Sequence, residues 1–236
     1  FNQYYEHDSD RLMARTRGRA FVTGALPHTP AWLLVMAVLL TSAVAAAAWV
    51  LNPVSAGFVF LGAFFYAIVY TVWLKRRSWM NIVIGGLAGS WAVLAGAAAA
   101  DPSLGAAPLA LAWILFLWTP PHFWALAVKY REDYASVNVP MLPSVTTLNV
   151  TARKILAYTL ALVVVSLVLA PVADLGWIYM GAALISGGVF IWSALAVLRT
   201  PTPAAAMRLF GWSITYITVL FGAMAVDQLA GLGWPW

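Results

Sequence analysis

Asn2, Glu6 and Asp10 recur every four residues at the start of the chain, so on a helix they form one polar stripe. Met13, Arg15, Thr16 and Arg19 follow directly. Carboxylates beside arginines suit a hard divalent cation together with a phosphate group: Mg²⁺ takes carboxylate oxygen, and guanidinium takes phosphate oxygen bidentately. A second mixed cluster, Lys129, Tyr130, Arg131, Glu132, Asp133 and Tyr134, runs into Val139-Pro140-Met141-Leu142-Pro143. Two acidic clusters facing each other would hold Mg²⁺ against substrate phosphates. The plainer alternative is two solvated loops with incidental charge.

A third feature is Thr119-Pro120-Pro121-His122, inside an apolar run. Two adjacent prolines remove backbone donors, which predicts a kink or break there. His122 is then an ionisable group at membrane depth, a position that by default marks function. The alternatives are a neutral histidine bonded to carbonyls that the prolines free and, further off, a haem-iron ligand. Trp91, Trp113, Trp118, Phe123 and Trp124 surround these runs. As a group they read first as interface aromatics; any that face a cavity could line a pocket for a flat ring or stabilise a carbocation.

The elements that must position these residues are membrane spans. The chain has 236 residues, 63% hydrophobic and 9% charged, far below the roughly 25% charged of a soluble domain. Seven apolar runs are long enough to cross a bilayer, at about 31–51, 54–74, 82–100, 106–128, 155–173, 175–198 and 209–226. The connections alternate. Residues 1–30 and the 75–81, 129–154 and 199–208 loops carry all thirteen Lys and Arg, while the other connections and the C-terminal tail carry none. This is the positive-inside pattern, so the basic loops and the candidate site are expected on the cytoplasmic face and the C-terminus on the opposite one. The net charge of +5 is thereby assigned to orientation and anionic-lipid contact, leaving nucleic-acid binding without support. The absence of cysteine excludes disulfides and thiolate chemistry. Glycines such as Gly85, Gly86, Gly89, Gly96, Gly187 and Gly188 would let helices approach closely. Because Phe1 opens the chain in the middle of a polar helical pattern, at least one spanning helix is expected to precede it.

Three stretches resemble the protoheme IX farnesyltransferase (haem O synthase) family of the UbiA-type intramembrane prenyltransferases. The first looks like N-x-x-x-D-x-x-x-D-x-x-M-x-R-T-x-x-R-P, here Asn2, Glu6, Asp10, Met13, Arg15, Thr16 and Arg19. Residues 70–86, YTVWLKRRSWMNIVIGG, are similar to Y-T-x-x-L-K-R-x-T-x-x-N-I-V-I-G-G. Residues 117–143, LWTPPHFWALAVKYREDYASVNVPMLP, resemble a signature largely particular to the haem branch. Glu6 stands where that family has Asp, Ala20 where it has Pro, and Asn138 where it usually has Gly.

The resemblance implies an all-α, polytopic transmembrane bundle, the seven visible spans being the third to ninth of nine, as one prenyltransferase domain over 1–236. It implies transfer of a farnesyl group from farnesyl diphosphate to the vinyl group of haem B, with water added, giving haem O and pyrophosphate. Asn2, Glu6, Asp10 and Asp133 would form the catalytic Mg²⁺–diphosphate site, with Glu6, Asp10 and Asp133 as metal ligands. Arg15, Arg19, Lys75 and Arg131 would bind the phosphates, and His122, Trp118 and Trp124 the haem. Membrane lipid surrounds such a protein, and haem A synthase is a candidate partner. The rival readings are a related prenyltransferase acting on a quinone-precursor or chlorophyll-type acceptor, and a transporter with a broken helix at midplane.

Overall fold

The computed structural model describes residues 1–231. Their regular elements are helical: α1 (Asn2–Tyr5), α2 (His7–Asp10), α3 (Ala20–Thr23), α4 (Ala31–Val50), α5 (Pro53–Phe64) continuing as a π-helix (Phe65–Leu74), α6 (Asn81–Gly85), α7 (Leu87–Ala100), α8 (Ala106–Lys129), α9 (Arg131–Ser136), α10 (Leu142–Val145), α11 (Leu148–Val172), α12 (Trp177–Arg199) and α13 (Pro203–Leu229). Among the described residues, seven segments are long and apolar enough to cross a membrane: 31–50, 53–74, 81–100, 106–129, 148–172, 177–199 and 203–229. This is a multi-pass membrane protein. The fifth span starts at Leu148 rather than near 155, and the seventh covers 203–229 rather than 209–226. In both, a threonine N-cap outside the apolar run (Thr147 or Thr202) accepts from the helix's first turn and carries the helix through polar residues.

The helices form two compact units, residues 1–103 with 130–145, and residues 104–129 with 146 onward. In the first, α5 packs against α4 and α7, and the π-helix against α6 and α1. Asn52 joins α5 to α7: its side chain accepts from Ser55 N while its Nδ2 donates to Ala98 O at 2.7 Å, and Ser55 Oγ donates to Ala95 O. No residue of α4 is buried, so its apolar surface is left for lipid.

In the second unit α8, α11, α12 and α13 close a four-helix ring, each packing against the next. A buried polar network ties three of them. Tyr179 Oη donates to Ser166 O, Tyr216 Oη to Ser166 Oγ, and Ser166 Oγ to Leu162 O. With each hydroxyl finding an acceptor, these polar groups are tolerated in a membrane core. Gly187 faces Val163 so closely that an added Cβ would lie 3.0 Å from a Val163 methyl.

Of the expected kink or break at the prolines, the break does not occur. α8 runs unbroken from Ala106 to Lys129 with Pro120 and Pro121 inside it. Two missing N–H groups free only two carbonyls, and the turns on either side keep their own bonds. Thr119 Oγ1 also donates to Leu115 O within the same stretch.

Candidate functional site

The polar stripe folds as α1 and α2 with Glu6 between them, still joined by bonds from Glu6 N to Asn2 O and from Asp10 N to Glu6 O. It faces inward, with Glu6 and Asp10 only 3% and 2% exposed. A buried carboxylate needs a counter-charge, and each has one. Lys75 Nζ meets Glu6 Oε2 at 2.5 Å, and Arg19 Nη1 meets Asp10 Oδ2 at 2.6 Å. Arg19 also reaches Asn2 Oδ1 at 3.4 Å, and Thr16 Oγ1 holds Asp10 O. The reading of this stretch as a solvated loop is thereby excluded.

Lys75 follows the π-helix, its amide bonding Tyr70 O five residues back and its ammonium lying 5.6 Å from the Tyr70 ring centre. Burial pushes the Lys75 ammonium below its ordinary value, against the opposing pull of Glu6. Asn81, fully buried, gives Nδ2 to Lys75 O and leaves Oδ1 without a partner among the described residues. A cavity of about 440 Å³ opens beside the cluster, lined by Phe1, Asn2, Gln3, Arg19, Phe21 and Tyr66.

The second charged cluster is largely solvated. Arg131 and Glu132 are exposed, and Asp133 is half-buried in the first turn of α9. Among the described residues, no three of His, Asp and Glu gather into a group that could hold a metal ion, so Asp133 does not complete such a group with Glu6 and Asp10. The segment joins the site through its tyrosines instead. The Arg15 guanidinium lies 5.6 Å from the Tyr130 ring centre, and its charge acts on the buried Tyr134 hydroxyl. Burial raises the Tyr134 phenol, with Arg15 partly offsetting it.

In the second unit His122 is stacked between Trp118 and Phe210, with ring centres 4.3 and 4.5 Å away. Its Nδ1 meets Ser213 Oγ at 2.7 Å, so its partner is a hydroxyl of α13 rather than a carbonyl freed by the prolines. Trp118 Nε1 donates to Ser213 O. Trp124 is fully buried edge-on to Tyr158, so its face is closed in this conformation.

Residues 1–224 match the UbiA prenyltransferase family. The chain belongs to that family. It is 51% identical over 229 residues to protoheme IX farnesyltransferase 2 of Paramagnetospirillum magneticum, covering 97% of this chain and 79% of that protein. It is 42% identical to protoheme IX farnesyltransferase of Corynebacterium jeikeium, covering 99% and 78% of the two chains. A solved structure from a study of digeranylgeranylglyceryl phosphate synthase in membranes superposes with a TM-score of 0.78 at 17% identity, over 96% of this chain and 78% of that one. That likeness shows the fold alone.

Two departures of this UbiA-family member from the motif have local backbone explanations. Asn138 sits at φ 53°, a left-handed position that glycine and asparagine both tolerate. Ala20 is the first residue of α3, after an extended Arg19, where proline is favoured but not required. Tyr70, Asn81, Tyr134 and Ser213 were not singled out by their spacing; the first two did lie in the 70–86 stretch and Tyr134 in the mixed cluster. Asp227 reads as an ordinary loop residue, yet it is 1% exposed and accepts from the backbone N–H of Gly176 and of Tyr179 at the start of α12.

Proposed function

We propose that this chain transfers a farnesyl group from farnesyl diphosphate to the vinyl group of haem B, adding water and giving haem O and pyrophosphate. The observation that carries the reading is the buried charged cluster, built from two motifs 69 residues apart, in a chain whose relatives are named protoheme IX farnesyltransferases. Breaking the C1–O bond of the diphosphate ester leaves an allylic cation and builds charge on the departing pyrophosphate. Fixed cations stabilise that charge most in the transition state. Lys75 and Arg19 take the phosphate oxygens, with Arg15 and Arg131 extending the cationic side. Asn2 holds Arg19. The vinyl π electrons then close on C1, and water adds to the resulting cation with loss of a proton. The apolar surroundings keep bulk water from the allylic cation.

Members of this family generally use a divalent metal. Hard carboxylate donors on Glu6 and Asp10, with Asn81 Oδ1, unpartnered among the described residues, near Lys75, suit Mg²⁺, and Asp133 is the further carboxylate of the proposed set although it does not group with them here. When bound, it would neutralise charge on the leaving diphosphate. His122 and Trp118 meet the macrocycle, with Trp124 as the further residue of the proposed haem pocket. The domain spans 1–236, the basic loops and the diphosphate site face the cytoplasm, the C-terminus lies opposite, and haem A synthase is the partner that would receive the product.

Membranes holding the full-length protein, given haem B, farnesyl diphosphate and Mg²⁺, should form haem O, read by chromatography and mass. Asp10→Ala and Asp133→Ala should each lower the rate about 100-fold or more. Prenylation of 4-hydroxybenzoate in place of haem B would overturn the acceptor assignment, and full activity of both variants would overturn the site. The chain has no cysteine, so single cysteines introduced at Arg76 and at Asp101 report the orientation directly. Labelling of both from the same side would refute it.

A further inference from the structure

Glu6, Asp10, Lys75 and Arg19 form two closed pairs whose charges sum to zero, with side chains 4%, 4%, 14% and 24% exposed. A divalent cation that needs the carboxylates must first displace Lys75 or Arg19. A diphosphate that needs Lys75 must first displace Glu6, whereas Arg19 can offer donors that it does not use on Asp10. Either ligand alone therefore strands like charges with little water to solvate them, and an uncompensated buried charge is strongly unfavourable. When both arrive, each half of the Lys75–Glu6 pair receives a new counter-charge.

We propose that metal and diphosphate enter by exchanging partners with the Lys75–Glu6 pair, so that the empty site disfavours either ligand alone and admits the two together. The inference rests on the functional reading above, but it concerns these four side chains and not the prenyl acceptor. The Lys75–Glu6 pair dominates: Lys75 is the less exposed cation and is held over Tyr70, whereas Arg19 has further donors with which to bind phosphate while keeping Asp10. Glu6 thus occupies Lys75 until pyrophosphate arrives, and Lys75 occupies Glu6 until the metal does.

The test uses the purified full-length chain, with Mn²⁺ alone as one probe and metal-free inorganic pyrophosphate as the other. In the wild type each should bind weakly alone and about 10- to 100-fold more tightly in the presence of the other. Lys75→Met frees Glu6, so Mn²⁺ alone should bind about 10-fold more tightly than to the wild type. Glu6→Gln frees Lys75, so metal-free pyrophosphate alone should bind tighter by a similar factor. Arg76→Met is the control for general charge. Arg76 is exposed and bonds Ser9, so its loss should change Mn²⁺ affinity about twofold or less.

Unchanged or weakened Mn²⁺ binding in Lys75→Met, with haem O still formed by the wild type, would overturn the exchange and leave the activity standing. The exchange signature in a wild type that makes no haem O would do the reverse. If Lys75→Met does not fold, the Glu6→Gln pyrophosphate arm decides alone, and no gain in affinity there overturns the proposal.

Discussion

The His122–Ser213 contact fixes which nitrogen of the imidazole carries its proton, and this can be measured. Ser213 is fully buried, and its single hydroxyl hydrogen has two candidate acceptors, Phe210 O at 2.6 Å and His122 Nδ1 at 2.7 Å. Donation to Nδ1 would leave two bare acceptor oxygens facing each other at 2.6 Å. Donation to Phe210 O, with Nδ1–H donating to Ser213 Oγ, satisfies both contacts. The difference is at least one buried hydrogen bond, about 1–3 kcal/mol, or roughly 5- to 150-fold in population. In the neutral ring His122 is therefore the Nδ1–H tautomer with a bare Nε2.

Solid-state NMR of protein labelled with ¹⁵N-histidine reads this directly, because only His7 and His28 accompany His122 and each can be assigned by deletion. The spectrum is taken near pH 8.5, roughly two units above the ordinary histidine value, so that the ring is neutral. Ser213→Ala removes the acceptor. The ring should then switch to Nε2–H, and stability should fall by about 1–2 kcal/mol, a Tm loss of a few degrees for a chain of this size. An Nε2–H tautomer in the wild type would refute the argument. So would a Ser213→Ala variant whose tautomer is unchanged. If His122 meets the macrocycle as proposed, the atom it presents is an acceptor and not a donor.

Three further outcomes are expected. Asp227→Ala strands the Gly176 and Tyr179 amides at the start of α12, so thermal unfolding in detergent should show a loss of about 2–4 kcal/mol, with Asp227→Asn losing less because an acceptor remains. Gly85→Ala places a Cβ 2.6 Å from Tyr70 Cδ2; it should cost about 1–3 kcal/mol and weaken pyrophosphate binding by shifting the ring under Lys75. Lys75 has a folded-state pKa below its ordinary 10.5, so the folded protein releases that proton before the unfolded chain does. Deprotonation on raising the pH is thus easier in the folded chain, and as pH rises toward 10.5 the wild type should gain Tm relative to Lys75→Met, whereas a widening deficit would show the sign to be wrong.

The spans were legible because a bilayer imposes length and apolarity on consecutive residues, and 31–51 and 106–128 come within a residue of the helices at 31–50 and 106–129. The polar stripe was legible for the same local reason, four-residue spacing along one face. Which base meets which acid was not. Glu6 and Lys75 are 69 residues apart, and only packing of the π-helix against α1 brings them together. Pro120-Pro121 does not break the helix because a missing donor is a local deficit, whereas helix continuity depends on the turns around it. Asp227 lies just beyond the apolar run, where the sequence shows no element. The apolar run ends near 226 but the helix continues to Leu229, which turns an apparent loop acid into a buried cap for a different helix.

The π-helix between Phe65 and Leu74 explains why these particular charges meet. In an α-helix, residues five apart point about 140° away from each other, so a lysine five residues after Tyr70 would project well off the tyrosine's face. Here the bonds span five residues: Lys75 N donates to Tyr70 O at 2.8 Å, and the buried Thr71 hydroxyl reinforces the wider turn by donating to Tyr66 O at 2.8 Å. That turn brings Lys75 back over Tyr70 and onto Glu6, while Asn81 holds the Lys75 carbonyl from α6. Wide turns of this kind are rare and concentrate at functional sites, because they give up regular helical bonding to re-aim a side chain. The sequence motif at 70–86 therefore encodes more than a lysine. Its tyrosine, threonine and asparagine set the backbone that points Lys75 at the first carboxylate of the stripe.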